Sequence, residues 1–273
     1  MGPYRTFRNQ GRGYRSGSRP GEDTACALLM TATITPPPGA VRRSDPRVRM
    51  NDYLSSLQFH LSLPSRLFNR LIFVDNSASD LSPLEELVTS TGHEKLVELI
   101  SFSGNDHPPA YGKAFGEFKL LDFALTHTSI LSERDTFWKI SGRLQCLNIG
   151  DMLGAAPRRY DVMCDLHNVQ TFGLGRCPFR PWMDLRLFSC TVSAYQRLFR
   201  GTYEAAKSGF SPGHLYQVVL DARSYLEIVP RFPREPHIAG FSGRFDTDYD
   251  SGSLRVKRLV RAALRRTFPR VWL

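Results

Sequence analysis

Four short apolar runs, separated by stretches of helical period, constrain this chain more than any other feature. They are Ala25 to Ile34, Arg70 to Asp75, Lys95 to Phe102, and the run that starts at Phe137. Short, partly β-branched runs of this kind read as strands covered on both faces. Between the first two, Ser44-Asp45-Pro46 opens a helical pattern through Arg49, Tyr53, Leu54, Leu57, Phe59 and Leu61. Ser44 or Asp45 can cap that helix, and Pro46 suits its first turn. Leu84 to Val88 supplies a second helix. A third starts at Gly112 and runs through Phe118, Leu120, Leu121, Phe123, Ala124 and Leu125. Strand and helix in alternation predict a mostly parallel α/β sheet with helices on both faces. A chain of 273 residues, 41% of them hydrophobic, has enough apolar side chain to fill the core of a single such domain.

The formal charge of +10 points at first to a nucleic-acid binder, but its distribution argues otherwise. Five arginines and no acid stand in residues 1–20, and seven basic residues and no acid in residues 254–273. Removing those twelve leaves 24 basic against 26 acidic residues, so the body is close to neutral. The Gly-, Arg- and Ser-rich residues 1–24 are expected to be a disordered basic tail, ahead of a folded domain over 25–252. Five cysteines without C-x-x-C spacing favour reduced thiols over a disulfide frame or a zinc site. No apolar run is long enough to span a bilayer, and no secretory leader pattern is evident, so a cytoplasmic protein is expected.

Several residues that carry chemistry fall where an open α/β sheet binds ligands, at the carboxyl ends of its strands. Asp75 and Asn76 end the second strand, where a carboxylate can accept hydrogen bonds from a ribose or base. Equally, Asp75, Ser77 and Asp80 can cap the helix that follows. Gly112-Lys113 and Gly116 open the third helix, a weak but plausible anion-binding N-terminus that lacks the P-loop order. Phe137-Trp-Lys-Ile-Ser-Gly-Arg143 reads as a strand and tight turn that delivers Lys139 and Arg143 to one place. Gly142 allows the sharp turn, and the Arg143 guanidinium matches a phosphate.

The second half is less regular. Tyr160 to His167 reads as a strand, Thr171 to Pro181 as a Gly-rich loop, and Trp182 to Phe188 as a strand entering a helix over 193–206. Asp165 and His167 would share a face of an extended strand, where a metal pair is conceivable. Leu215 to Ile228 reads as helix and then strand. Ser242-Gly243-Arg244 could fold over phosphates or simply lead out of the domain.

In order and spacing, these segments resemble the GT-A fold glycosyltransferases, specifically small bacterial enzymes of O-antigen and capsule assembly. The resemblance rests on Thr31-Ala-Thr-Ile34, then on Asp45, Arg49, Asp52, Tyr53, Ser56 and Leu57. It continues through Phe73-Val-Asp-Asn-Ser77, Gly112-Lys113 with Gly116-Glu117, and Lys139, Gly142, Arg143 and Asn148. It implies a GT-A-like, Rossmann-like sheet with a nucleoside-diphosphate sugar bound over its first strands. Thr33, Asp75 and Asn76 would contact the nucleoside, while Lys113, Lys139 and Arg143 would neutralise the diphosphate. Most members of that family hold Mg²⁺ or Mn²⁺ through an Asp-x-Asp pair. Here Lys139-Ile-Ser-Gly-Arg143 stands in that place, so cations are expected to replace the ion and no cofactor is required, with Mn²⁺ or Mg²⁺ left open. Asp246-Thr-Asp248 has the letters of the motif but reads as a solvated loop. The acceptor would be a hydroxyl of a lipid-linked glycan, deprotonated by Asp184 or else Glu227 if the reaction inverts. Asp184 reads equally well as an ion-pair partner of Arg186.

Residues 253–273 read as a basic amphipathic helix, with Leu254, Val256, Leu259, Val260, Ala263 and Leu264 near helical spacing. It is expected to hold the protein on the inner face of the cell membrane, each basic residue contributing on the order of 1 kcal/mol at an anionic surface. Two other classes stay open: a noncatalytic nucleotide- or sugar-binding module, and a nucleic-acid binder working through its tails. The near-neutral body argues against the second.

Overall fold

In a computed structural model that describes residues 4–10, 26–168, 181–268 and 272, the four apolar runs become four neighbouring parallel strands. In chain order come β1 (Arg5–Asn9), β2 (Cys26–Ala32), α1 (Pro46–Ser62), β3 (Phe68–Asp75), α2 (Ser82–Ser90), β4 (Leu96–Ser101), α3 (Gly112–His127) and β5 (Thr136–Ser141). The second half has shorter pieces: β6 (Gln145–Cys146), α4 (Ile149–Ala155), β7 (Val162–Met163), β8 (Leu166–His167) and β9 (Trp182–Met183). It continues with β10 (Leu187–Thr191), α5 (Val192–Leu198), α6 (Thr202–Ala206), α7 (Pro212–Ala222), β11 (Ile228–Val229), β12 (Ile238–Ala239) and α8 (Gly252–Thr267).

The main sheet has the order β1-β4-β3-β2-β5-β10-β7-β11. Its centre, β4-β3-β2-β5, is parallel, and β1 and β10 add antiparallel strands on either side. Strand side chains alternate between two faces, which explains why the runs are apolar throughout. Leu28, Met30, Leu71, Phe73, Trp138 and Ile140 point to one core, shared with Tyr53, Leu57 and Leu61 of α1. Ala27, Leu29, Ile72, Val74 and Phe137 point to the other, shared with Phe115, Phe118 and Leu121 of α3. The mostly parallel α/β sheet with helices on both faces is therefore present. Asp45 caps α1 by accepting the Arg47 N–H at 2.8 Å, with Pro46 in the first turn.

The amino-terminal expectation needs correcting. Residues 5–9, expected to be disordered, form β1 against β4, pairing Arg5 with Ser101 through Asn9 with Val97. The cause is Glu98, a buried carboxylate in an otherwise apolar strand. Arg8 supplies its counter-charge at 3.0 Å, and Ser129 and Thr128 donate to its two oxygens. Phe7, the neighbour on the opposite face of β1, packs against the core. Residues 11–25 lie outside the described residues, as do 169–180, which hold most of the expected Gly-rich loop. Beyond β5 the predicted long strands are split: Tyr160 to His167 holds β7 and β8, and Trp182 to Phe188 holds β9 and the start of β10. Among the described residues, no helix is long and apolar enough to cross a membrane.

Candidate functional site

Strands β3 and β4 lie to one side of β2, and β5 to the other. The strand order reverses there, and the crevice that an open α/β sheet offers a ligand at such a reversal lies outside the carboxyl ends of β2 and β5. The two ends are clasped where Gly142 N–H donates to the Thr31 carbonyl at 2.8 Å. A Cβ at position 142 would stand 2.9 Å from that oxygen and 3.3 Å from the Tyr53 ring. Glycine is what lets the strands close this tightly.

On the α3 side of the crevice, Lys139 is fully buried and forms an ion pair with Glu117 at 2.5 Å. Its ammonium also donates to the Leu185 carbonyl at 2.5 Å. Glu117 accepts a second bond from the Thr31 hydroxyl at 2.6 Å. Burial opposes charge on the Glu117 carboxyl, but Lys139 and Lys113 outweigh it and hold its pKa down at about 2. Lys113 itself stands exposed in the first turn of α3, where the helix dipole adds to its positive field.

On the α1 side, Thr33 is the hub. Its carbonyl accepts from the buried Arg49 guanidinium at 2.7 Å, and its N–H donates to the Tyr53 hydroxyl at 2.9 Å. The Thr33 hydroxyl donates to Asn76 Oδ1 at 2.7 Å. Arg143 donates to the Phe241 carbonyl at 2.7 Å. A Cβ on Gly243 would stand 2.5 Å from the Arg143 guanidinium, so any larger residue there would push the arginine aside. Arg43 secures the same loop, holding Asp52 at 2.6 Å and Asp246 at 2.7 Å while its guanidinium covers the Phe241 ring. Residues 241–246 thus form a strap across the α1 side of the crevice.

The structure brings Thr33, Asp75, Asn76, Lys113, Lys139 and Arg143 to one sheet edge but gives several of them other duties than expected. Lys139 and Arg143 do not meet: the first lies toward α3, the second toward α1, and Lys139 is spoken for by Glu117. Asp75 is completely buried and accepts from the N–H groups of Ile34, Ser77 and Ser79 at 2.8, 3.0 and 3.1 Å. That pattern makes it the organiser of the loops after β2 and β3, not a ligand contact. Asp184 is buried in a two-pronged pair with Arg186 at 2.5 to 3.0 Å. Burial would raise its pKa, yet the arginine holds it well below the usual carboxylate range, which unsuits it as a base. Glu227 precedes β11 at the opposite, amino end of the sheet. There it lines an open cavity of about 350 Å³ with Thr136, Arg158 and Asp161, remote from the crevice. Glu227 is thus remote, while Asp184 lies beside the site, since the next residue, Leu185, holds Lys139, but its carboxylate is engaged by Arg186.

Other expectations resolve as structure. Asp165 is clamped by Arg265 at 2.9 and 2.8 Å, and His167 stacks on Trp182 with ring centres 4.1 Å apart. Asp246 serves the strap, and Asp248 accepts the Asp250 N–H. Among the described residues, no group of three His, Cys, Asp or Glu side chains could hold a metal ion. The crevice donors do not fit one either, since Lys113, Lys139 and Arg143 repel a cation and Glu117 is already neutralised. The residues that sequence reasoning left without a role are Glu117, Arg43 and Arg49. The signal for Glu117 was its place one turn after Lys113, on the helix face that looks toward β5.

No protein-family model matches the chain, and no curated protein sequence matches it. Solved structures share its shape loosely. The inositol-1-phosphate CTP transferase of T. maritima is 13% identical over 87% of this chain and 96% of that one, with a TM-score of 0.46. Core-mannan synthase A of Aspergillus fumigatus, in a Mn/GDP form, is 9% identical over 78% of this chain and 74% of that one, with a TM-score of 0.45. At such scores the site has to be read from its own residues.

Proposed function

We propose that this chain is a GT-A-type glycosyltransferase that takes a nucleoside-diphosphate sugar into the β2/β5 crevice. The sugar passes to a hydroxyl of a lipid-linked glycan, in surface polysaccharide synthesis on the cytoplasmic side of the membrane. The observation that carries this reading is the flanking of the crevice by cations on both faces of the sheet. Lys113 stands on one side, at the positive end of α3, and Arg143 on the other, beneath the strap. A departing nucleoside diphosphate gains negative charge as its bond to the sugar breaks, and fixed cations lower the energy of that charge. Lys139 and Glu117 contribute by position: their pair fixes the first turns of α3 against β5 and so places Lys113. Thr33 and Asn76, joined by a hydrogen bond at the mouth of the crevice, are the groups nearest to hand for the nucleoside. In this reading the reaction needs no metal, because the positive charge is already built in.

Thermal unfolding with UDP, GDP, CMP and dTDP, each in EDTA and in Mn²⁺, tests it. A ligand at one hundred times its Kd stabilises by about 2.7 kcal/mol, a shift of several degrees. One diphosphate is expected to raise Tm equally in both buffers, and Arg143→Ala is expected to remove the rise. Stabilisation that depends on Mn²⁺ counts against the metal-free site, and no stabilisation by any nucleotide ends the transferase reading.

One observation favours a second reading, a noncatalytic nucleotide-binding module: of the two expected bases, Asp184 is engaged by Arg186 and Glu227 lies at the other end of the sheet. Donor hydrolysis or sugar transfer by the purified chain, lost in Lys113→Ala, separates the two. Nucleotide binding with no turnover supports the module.

A further inference from the structure

Helix α8 is mounted inside out. Residues 256, 259, 260, 263 and 267 recur at helical spacing on one side, and all of them face solvent. Val256 is 60% exposed, Leu259 58% and Val260 52%. The opposite side, toward the body, is basic: Arg258 and Arg261 are half-buried and Arg265 is buried. Arg265 explains the inversion. Its guanidinium holds both oxygens of Asp165 at 2.9 and 2.8 Å, Glu235 at 2.9 Å and the Phe232 carbonyl at 2.6 Å. Arg231 donates to the Phe268 carbonyl at 3.2 Å just past the helix end. A buried ion-pair network thus pins the charged side inward, and the apolar stripe has nothing to cover it among the described residues.

We infer that this stripe docks on a lipid bilayer with anionic headgroups, the helix lying along the surface with Val256, Leu259 and Val260 entering the acyl boundary. Charge complementarity selects that occupant. The exposed charges bordering the stripe are Arg255, Lys257 and Arg266, and no acid occurs in residues 252–267. Arg255 is partly spent on Asp250 at 2.8 Å, which leaves Lys257 and Arg266 as the free flanking charges. A second copy of the chain fits poorly, because a two-fold pairing of this face would set the same basic residues against one another. A basic rim around an aliphatic centre is the composition of helices that lie in the membrane interface. The mechanism differs from the one composition predicts: Arg258, Arg261 and Arg265 of α8 face the body and not the surface, and insertion of three aliphatic side chains provides the grip. This inference does not rest on the transferase reading, and the two can fail separately.

The test is co-sedimentation of the full chain with vesicles of phosphatidylcholine alone or mixed with phosphatidylglycerol, in the absence of nucleotide. The wild type is expected to partition onto the mixed vesicles. Leu259→Glu with Val260→Glu is expected to lower the partition coefficient at least about tenfold, since charge in the acyl region is costly. Lys257→Glu should lower it less. Leu259→Trp, which keeps the stripe apolar, should bind as the wild type does and shift its fluorescence to shorter wavelength on the mixed vesicles. No partition of the wild type overturns the inference, as does unchanged binding by the double variant or an unshifted tryptophan. A wild-type dimer in light scattering that the double variant converts to monomer, with no vesicle binding, would instead make the stripe a self-association face and overturn it equally.

Discussion

The two halves of this molecule share two apolar cores but differ in what else ties them together. From residue 26 to residue 141, the strands are six to eight residues long and their side chains fill two apolar cores. Beyond Gly142 most strands shrink to two residues; apolar side chains such as Phe188, Tyr195, Phe199 and Leu215 still fill the core, and arginine–carboxylate pairs add ties that the short strands lack. Arg186 holds Asp184, Arg265 holds Asp165 and Glu235, and Arg43 reaches Asp246 from across the crevice. Apolar burial is tolerant of detail, because any packing that excludes water is rewarded. A buried ion pair is not: it stabilises only while both partners stay, and losing one strands the other. The first half supplies a rigid edge with charges on it, and the second closes over that edge through contacts that a single side chain can undo.

The sharpest way to break this comparison is Arg265→Ala. It leaves Asp165 and Glu235 buried without their cation, at an expected cost of about 3–5 kcal/mol in urea denaturation. Amide exchange should rise first in β7, β8 and α8, while β2, β3 and β5 keep their protection. A loss below about 1 kcal/mol, or exchange that rises uniformly, would erase the distinction between the halves.

Acid titration sharpens it from the other side, through the most deeply buried ion pair of the first half, Lys139 with Glu117. The Glu117 carboxyl sits at about 2 in the folded chain against an ordinary 4.5. Between those values the unfolded chain binds the proton more readily, so stability rises with pH there. The contribution is complete above about 4.5 and is lost as pH falls toward 2, on the order of 3 kcal/mol in all. Glu117→Gln should flatten that stretch of the stability profile. If the variant's profile keeps the wild-type slope, the pair is not holding α3 to β5.

The smallest stability effect is expected at Lys113, an exposed side chain. Lys113→Ala should stay within about 0.5 kcal/mol of wild type in denaturant, yet lose most of the nucleotide-induced rise in Tm. A large loss of stability there would mean that Lys113 supports the fold and not a ligand.

The same contrast explains how much was legible beforehand. The parallel sheet could be read from Ala25 to Ile34 and its three successors because apolar burial leaves a periodic trace in sequence. The crevice could be read in part, since strand ends and glycines mark carboxyl edges: Thr33, Asn76, Lys113 and Arg143 all came to it. Contacts between charges far apart in sequence leave no such trace. Arg265 and Asp165 are 100 residues apart, and nothing local tells that one seals the other. Asp184 shows the same in miniature: base and ion-pair partner of Arg186 read equally well in sequence, because the turn that joins the two is not encoded by periodicity. Lys139 stands on the strand as expected, and its ion pair with Glu117 of α3 is again a contact that no local pattern records.

The short amino-terminal strand has a practical meaning beyond its small size. It occupies the outer hydrogen-bonding rim of β4, and its arginine discharges Glu98. A chain trimmed to residue 25 would bare five residues of mostly apolar edge, Val97 to Ser101, with Glu98 deprived of its cation. Such an edge is a template onto which another molecule's strand can add. The first ten residues act, in that sense, as a solubility guard: boundaries drawn to discard a disordered-looking leader would trade a tidy start for aggregation.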